Sequence, residues 1–259
     1  MPFRFTRAIV RAPSPNFADG LTSVTLGRPD YARALEQHAR YCEALARCGL
    51  KITRLAEDPA HPDATFVEDT AVLSARCNVL TRPGAPSRAG EVTSIRAALV
   101  SAGLKFGAID VPGTLDGGDI CEHGDHFFIG VSQRTNWEGA AQLAACLTQA
   151  GCESSCIDIR AVPGILHLKS GIASLDDDRI VALDALLGHA ALRGREIVRV
   201  PQGEEYAANC VRVNDHLLMP AGFPRMHDAL DALGYSLIPL DMSEFEKMDG
   251  GLSCLSLRF

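Results

Sequence analysis

The chain lacks a long apolar run. No stretch reaches the length needed to cross a bilayer, and the basic start at Arg4, Arg7 and Arg11 is not followed by the apolar core of a secretory signal. A CxxC pair is missing too. Cys152 and Cys156 stand four apart with no second pair at zinc-ligand spacing, which argues against a structural zinc site. An excess of positive charge is also absent. Against 25 Lys and Arg stand 32 Asp and Glu, a formal net charge of −7, which disfavours nucleic acid or an anionic membrane as a partner. No linker or low-complexity stretch divides the 259 residues, so a single domain over 1–259 is expected. Nine scattered cysteines without a pairing pattern fit a reduced, cytoplasmic protein in which most thiols act as small core side chains.

What is present is a repeat. Residues 29–48 read as a helix, with Pro29 near its start and Tyr31, Leu35, His38, Cys42 and Leu45 on one face. Gly49 stops it, and the apolar LKITRL at 50–55 follows as a strand. The same order of helix, glycine and strand recurs at 91–102 with Gly103, at 137–150 with Gly151 and at 224–233 with Gly234. A shorter, weaker helix is expected near 184–192, before Gly194 and EIVRV.

Between these units lie hairpin sequences: TAVLSARCNVL, ICEHGDHFFIG, IASLDDDRIVAL and CVRVNDHLLMP. Their turns fall at Ala75-Arg76, His123-Gly124-Asp125, Asp176–Asp178 and Asn214-Asp215. A fifth hairpin is available only if the final CLSLRF pairs with the opening FRFTRAIVRA, starting at Phe3. Such pairing closes a ring, so the expected fold is α/β, a pseudo-fivefold propeller of five ββαβ units. A doubly wound parallel sheet is the alternative reading of helix–glycine–strand, but it has no use for antiparallel hairpins.

Chemistry-bearing residues recur just before the hairpins, at intervals of about 40–50 residues, in the range of known repeats. They are Glu68-Asp69, Asp116 with Asp119, His167, Asn209 and Cys254. In a fivefold ring, equivalent loops gather at one end of the axis, so a thiol, an imidazole and several carboxylates are expected in one pocket. Each has a bland reading by itself. A cysteine among nine is usually core, a histidine between apolar neighbours is usually a satisfied interior residue, and Asp-Gly-Gly is strong turn chemistry. Their common phase in the repeat is what singles them out. A thiolate needs a base or cation beside it, and a carboxylate can orient that imidazole. Further carboxylates would repel a thiolate unless a cation sits between them. A planar guanidinium fits, because it pairs with carboxylates through two parallel hydrogen bonds.

FVED at 66–69, TRPGAPSR at 81–88, LDGGD at 115–119, RTN at 134–136, LHLKS at 166–170, AANC at 207–210 and DGGLSC at 249–254 occur in this order. Together they closely resemble the dimethylarginine dimethylaminohydrolase family of the pentein, or guanidino-group-modifying, superfamily. The resemblance runs from DGL at 19–21 to the C-terminus. It implies a five-bladed propeller and hydrolysis of Nω-methylated arginines to citrulline and a methylamine, with a small-molecule substrate and no cofactor or metal. It implies Cys254 as nucleophile, His167 as acid and base, and Asp116 as the group orienting His167. Asp63, Glu68 and Asp69 match the acidic segment around the substrate's guanidinium and amine. Arg88 and Arg134 match the pair holding its carboxylate, and Leu21, Met248 and Asp249 match further contacts. A monomer or homodimer is expected.

Two departures stand out: some bacterial relatives carry Glu at the position of Asp116, and the segment between Arg134 and His167 is longer than in some. Arginine deiminases resemble this pattern as well but typically carry Asp two residues after the His, where this chain has Lys169. Deimination of plain arginine and a non-catalytic pentein that binds a macromolecule are the competing readings.

Overall fold

The computed structural model describes residues 4–259. The chain forms two compact units, one from the described part of Met1–Glu68 together with Cys210–Phe259, the other from Asp69–Asn209.

In the first unit, Arg7–Arg11 is the centre of a three-stranded sheet. Leu257–Arg258 pairs with it antiparallel on one side, and Lys51–Leu55 pairs parallel on the other. The closing contact expected between the chain ends is present: Phe259 N donates to Arg7 O at 2.9 Å, and Arg7 N donates to Phe259 O at 2.8 Å. Phe3, where the expected opening strand starts, lies outside the described residues.

The helix Tyr31–Arg47 starts where the Asp30 carboxylate accepts from Arg33 N, a cap that replaces an intrahelical bond missing at every helix start. It buries Ala34, Gln37, His38, Tyr41, Cys42, Ala44 and Leu45. A second sheet joins Val211–Val213, His216–Pro220 and Ser236–Leu240, with the helix Pro224–Ala232 ahead of the last strand. Its hairpin turns at Asn214, whose φ of 55° suits the two-residue turns preferred between twisted strands. The Asn214 amide also donates to Phe5 O at 3.0 Å and Cys48 O at 2.8 Å, tying this turn to the segment before Arg7–Arg11 and to the end of the helix Tyr31–Arg47.

The second unit repeats the plan three times. Its sheets are Ala71–Leu73, Asn78–Leu80 and Gly107–Ala108; Ile120–His123, His126–Val131 and Glu153–Asp158; and Ile172–Ser174, Arg179–Ala182 and Glu196–Arg199. In each, the hairpin is antiparallel and the third strand pairs parallel with the hairpin's second strand. The helices Val92–Ser101 and Trp137–Gln149 precede the third strands of the first two sheets. Leu143 and Leu147 of the latter are wholly buried against Val79, Leu115, Phe127 and Ile129. Cutting either leucine to alanine in such packing costs about 2–5 kcal/mol.

Two expectations are corrected. Residues 184–192 form no α-helix but two 3-10 turns, Asp184–Leu186 and Ala190–Leu192. Gly188 lies between them, and the His189 ring accepts from Ala191 N, starting a new turn where a helix would continue. The strand expected after Gly103 is only Gly107–Ala108, paired with a partner, Asn78–Leu80, that is itself three residues long.

One recurring feature was not anticipated. A 3-10 turn stands just ahead of the first strand of every hairpin, with at most two residues between them: Val67–Thr70, Gly117–Asp119, Leu168–Ser170, Glu205–Ala208 and Ser253–Leu255. The residues singled out by their phase in the repeat sit in or beside these turns.

Candidate active site

In the three-sheet unit, the His167 side chain is fixed from several directions. His167 itself has extended backbone and leads into the Leu168–Ser170 turn. The next residue, Leu168, donates its N–H to Asp119 Oδ1 at 2.9 Å, and Asp119 Oδ2 accepts from Ser132 Oγ at 2.6 Å. Asp119 is thus a buried clamp on the backbone that carries the imidazole. Burial raises its carboxyl to about 6 even against the hydrogen bonds from Ser132, Thr135 and Leu168. Gly118 passes so close to the ring that a Cβ there would lie 2.8 Å from His167 Cγ and Nδ1, which explains the second glycine of LDGGD.

The ring's Nε2 lies 3.0 Å from Asp116 Oδ2 and 3.9 Å from Asp69 Oδ1. Asp116 is held in turn by Gly84 N, which donates to its Oδ1 at 2.8 Å, and its own N–H donates to Thr135 Oγ1 at 3.1 Å. Asp69 Oδ1 accepts from Gly118 N at 2.9 Å, and Asp69 Oδ2 is ion-paired with Arg88 Nη1 at 2.5 Å. Burial by itself would lower the His167 pKa. The charge of Asp69, the hydrogen bond to Asp116 and the charges of Asp119 and Asp116 together win and hold it at about 9. Burial would likewise raise Asp69, but the opposing charges of His167 and Arg88 bring it down to about 2. At neutral pH this is an imidazolium hydrogen-bonded to a carboxylate, an arrangement suited to giving a proton away and taking it back.

The two expected arginines differ. Arg134 is only partly covered, on a tight turn where Ser132 Oγ accepts from the N–H groups of both Arg134 and Thr135, and its Nη1 lies 3.9 Å from Asp116 Oδ2. Arg88 is 3% exposed, and besides Asp69 it grips Glu91 with Nε and Nη2 at 2.9 and 2.8 Å. Asp69, Asp116 and His167 bring three ligand-capable atoms within 4.8 Å of one another. Their atoms are already engaged by Arg88, Gly84, Gly118 and each other, so the donor set suits acid–base work and does not fit a metal.

In the two-sheet unit, the residues expected to contact substrate form a second group. Phe17, Phe66 and Phe245 pack as a triad with ring centroids 5.5 to 6.3 Å apart, and this anchors the segments bearing Asp63, Glu68, Met248 and Asp249. Leu21 is exposed, and its N–H donates to both oxygens of buried Asp63, at 3.0 and 3.2 Å. Gly20 beside it leaves no room for a Cβ against Asp63 and buried Met248. Asp249 holds a φ of 56°, unusual for a residue with a side chain, while its carboxylate accepts from Ser23 N at 2.5 Å and Ser23 Oγ at 3.1 Å. Buried Glu68 pairs with Arg258 at 3.5 Å. Cys254 sits partly exposed in the last of the five recurrent turns, and its Sγ accepts from Gly251 N at 3.4 Å.

The structure therefore gathers Asp69, Arg88, Asp116, Arg134 and His167 in one unit, and Leu21 with Asp63, Met248 and Asp249 in the other. Sequence reasoning missed Glu91, Ser132 and Thr135. Of these only Glu91 had a readable signal, an acid three residues after Arg88 and so on the same side of a turn.

The profile of the family described as Arginine deiminase matches residues 102–218. The chain is 45% identical to the N(G),N(G)-dimethylarginine dimethylaminohydrolase of Pseudomonas aeruginosa, over 98% of this chain and 100% of that protein. It is 37% identical to the protein of the same name from Streptomyces coelicolor, over 97% of this chain and 96% of that one. A solved structure of the Pseudomonas aeruginosa protein, a cysteine-to-serine mutant complexed with citrulline, matches with a TM-score of 0.94 at 44% identity, covering 99% of this chain and 100% of that one. The expected fold class, the α/β five-bladed pentein propeller of ββαβ repeats, is thereby shown.

Proposed function

The chain belongs to the dimethylarginine dimethylaminohydrolase family, and from that premise we propose how its residues carry out the reaction. It is a hydrolase that converts Nω,Nω-dimethyl-L-arginine and water to L-citrulline and dimethylamine, and Nω-methyl-L-arginine to citrulline and methylamine. The observation that carries this reading is the 45% identity along the whole chain to a relative named for that activity.

The Cys254 thiolate attacks the guanidinium carbon, forming a C–S bond. His167, an imidazolium at neutral pH, gives its proton to the dimethylamino nitrogen, and the C–N bond breaks with that electron pair leaving on the amine. An S-alkylthiouronium remains on Cys254. His167, now neutral, takes a proton from water, whose oxygen attacks the same carbon. The C–S bond then breaks with its electron pair leaving on sulfur while the remaining hydroxyl proton passes to solvent, releasing citrulline and restoring the thiolate. Asp116 keeps the ring oriented throughout and stabilises its charged form.

Asp69 and Glu68 attract the guanidinium, while Asp63, the Leu21 backbone, Met248 and Asp249 frame the amino-acid end. Arg134 takes the substrate carboxylate, with Arg88 behind it. The scheme needs no cofactor. No helix among the described residues is long and apolar enough to cross a membrane. A cytoplasmic monomer or homodimer suits nine cysteines that are all thiols.

The match of residues 102–218 to the Arginine deiminase profile favours a second reading, hydrolysis of unmodified arginine to citrulline and ammonia. Lys169 weighs against it, because it leaves one carboxylate fewer to grip an unmethylated terminal nitrogen. A competition assay over arginine, monomethylarginine and dimethylarginine decides between them. Dimethylamine release in step with citrulline is expected; ammonia release in excess of dimethylamine would overturn the first reading in favour of the second.

A further inference from the structure

Glu91 lies outside every motif that marks the site, yet it is 1% exposed and ionically bound. Burying a carboxylate is costly unless it is paired and hydrogen-bonded, so its partner defines its purpose. That partner is Arg88. Glu91 Oε1 and Oε2 accept from Nε and Nη2, the edge of a guanidinium that matches a carboxylate fork, and Nη1 is left to point at Asp69. Asp69 is in turn 3.9 Å from the His167 ring. A chain of alternating charge therefore runs Glu91, Arg88, Asp69, His167, Asp116, with every link among residues buried to 6% exposure or less.

The arithmetic of charge makes the outer carboxylate matter. If Arg88 faced Asp69 alone, the pair would be neutral, and Asp69 would have little attraction left for an imidazolium or for a cationic substrate. With Glu91 sharing Arg88, the triad carries one net negative charge, and Asp69 remains an anion toward its other side. The fork also fixes the guanidinium plane, and with it the direction in which Asp69 Oδ1 points.

We propose that Glu91 is a positioning residue for the hydrolysis, acting through Arg88 to keep Asp69 aligned and negatively charged toward His167 and the substrate guanidinium. This rests on the reading of the reaction given above. The charged groups facing His167 are Asp69, Asp116 and Asp119, with Arg88 and Arg134 on the far sides of these acids. Of the elements packed on its turn, Ile120–His123 brings Glu122, which lies beside Lys169, and Glu205–Ala208 brings Glu205, whose carboxylate accepts from Gly203 N. None of these replaces the negative charge that Glu91 supplies.

The test is steady-state kinetics with dimethylarginine from pH 6 to 10 on the wild type, Glu91→Gln and Glu91→Asp, alongside their melting temperatures. Glu91→Gln keeps shape and loses charge. It is expected to move the alkaline limb of the kcat profile down by ~0.5–1 pH unit and to raise KM by ~10-fold. Glu91→Asp keeps the charge on a shorter arm, and its alkaline limb is expected to stay within ~0.3 pH unit of wild type with a smaller rise in KM. A Glu91→Gln enzyme that melts lower but keeps the wild-type limb and KM would reduce Glu91 to a structural role and overturn the proposal. So would equal limb shifts in both variants. If Glu91→Gln does not fold, Glu91→Asp decides: a shifted limb there contradicts the proposal and an unshifted one supports it. Wild-type enzyme that releases no dimethylamine would count against the reaction itself, a separate failure.

Discussion

The two units handle polar groups in different ways. In the three-sheet unit, the candidate chemistry is buried and cross-braced: His167, Asp116, Asp69, Asp119, Arg88 and Glu91 are each 6% exposed or less and tied to named partners. In the two-sheet unit, Asp63, Glu68 and Met248 are buried as well, but other candidate residues lie nearer the surface. Cys254 is partly exposed, and Leu21 through Ser23 form an exposed strap held to Asp63, Lys247 and Asp249 by hydrogen bonds. An acid–base group needs its pKa set in advance, which takes burial and fixed charges. A nucleophile and the loops that frame a substrate need access, and for them rigid burial would be a handicap.

That contrast can be broken from either side. The largest effect is expected from Cys254→Ser, which should lower kcat by at least ~10³-fold while leaving the melting temperature close to wild type, as measured by citrulline release and calorimetry. Asp116→Asn should keep the ring near its place but remove the charge that orients and stabilises it. A loss of about 10²-fold or more in kcat is expected, with little change in KM.

The third expectation concerns pH and stability. His167 has a folded pKa of about 9, above its usual 6.5, so its ion pairs contribute fully below pH 6.5 and are lost as pH rises through about 9. Wild-type stability should therefore fall between these values in urea titrations, and His167→Asn should flatten that slope. A wild-type slope unchanged by the substitution would mean that another group titrates there.

The smallest effect is at the strap. Asp249→Ala loses the Ser23 bonds and keeps an unfavourable positive φ, whereas Asp249→Gly loses the bonds but tolerates the backbone. Both should raise KM by less than ~10-fold, and the glycine variant should be the more stable by about 1 kcal/mol. Equal stability would show that the backbone at 249 is not strained.

Much of the fold was legible because its signals are local. Helix faces, stop glycines and hairpin turns each occupy a few residues, and four of the five sheets follow from them. The sheet formed by the chain ends was reached only by asking what the fifth hairpin could be. The helix near 184–192 failed because Gly188 and the His189 cap outweigh a short apolar spacing. At the site, His167 and Asp116 were visible through their common phase in the repeat. Ser132 and Thr135 were not, since their roles come from contacts across loops that no periodicity records, and Glu91 showed only as an acid three residues after Arg88, outside the repeat's phase. The recurrent 3-10 turns escaped for a similar reason: each is three or four residues long, with no shared composition.

The central claim is that the thiol of Cys254 and the imidazole of His167, far apart in sequence, work on one guanidinium carbon. Acid-quenching His167→Gly during incubation with S-methyl-L-thiocitrulline, whose methylthio group leaves as a thiolate without needing a proton from His167, and mapping its peptides by mass spectrometry tests this directly. The account predicts a thiouronium adduct on the peptide carrying Cys254, accumulating because its hydrolysis has lost its base. An adduct on any other cysteine, or undiminished turnover with none on Cys254, would contradict it.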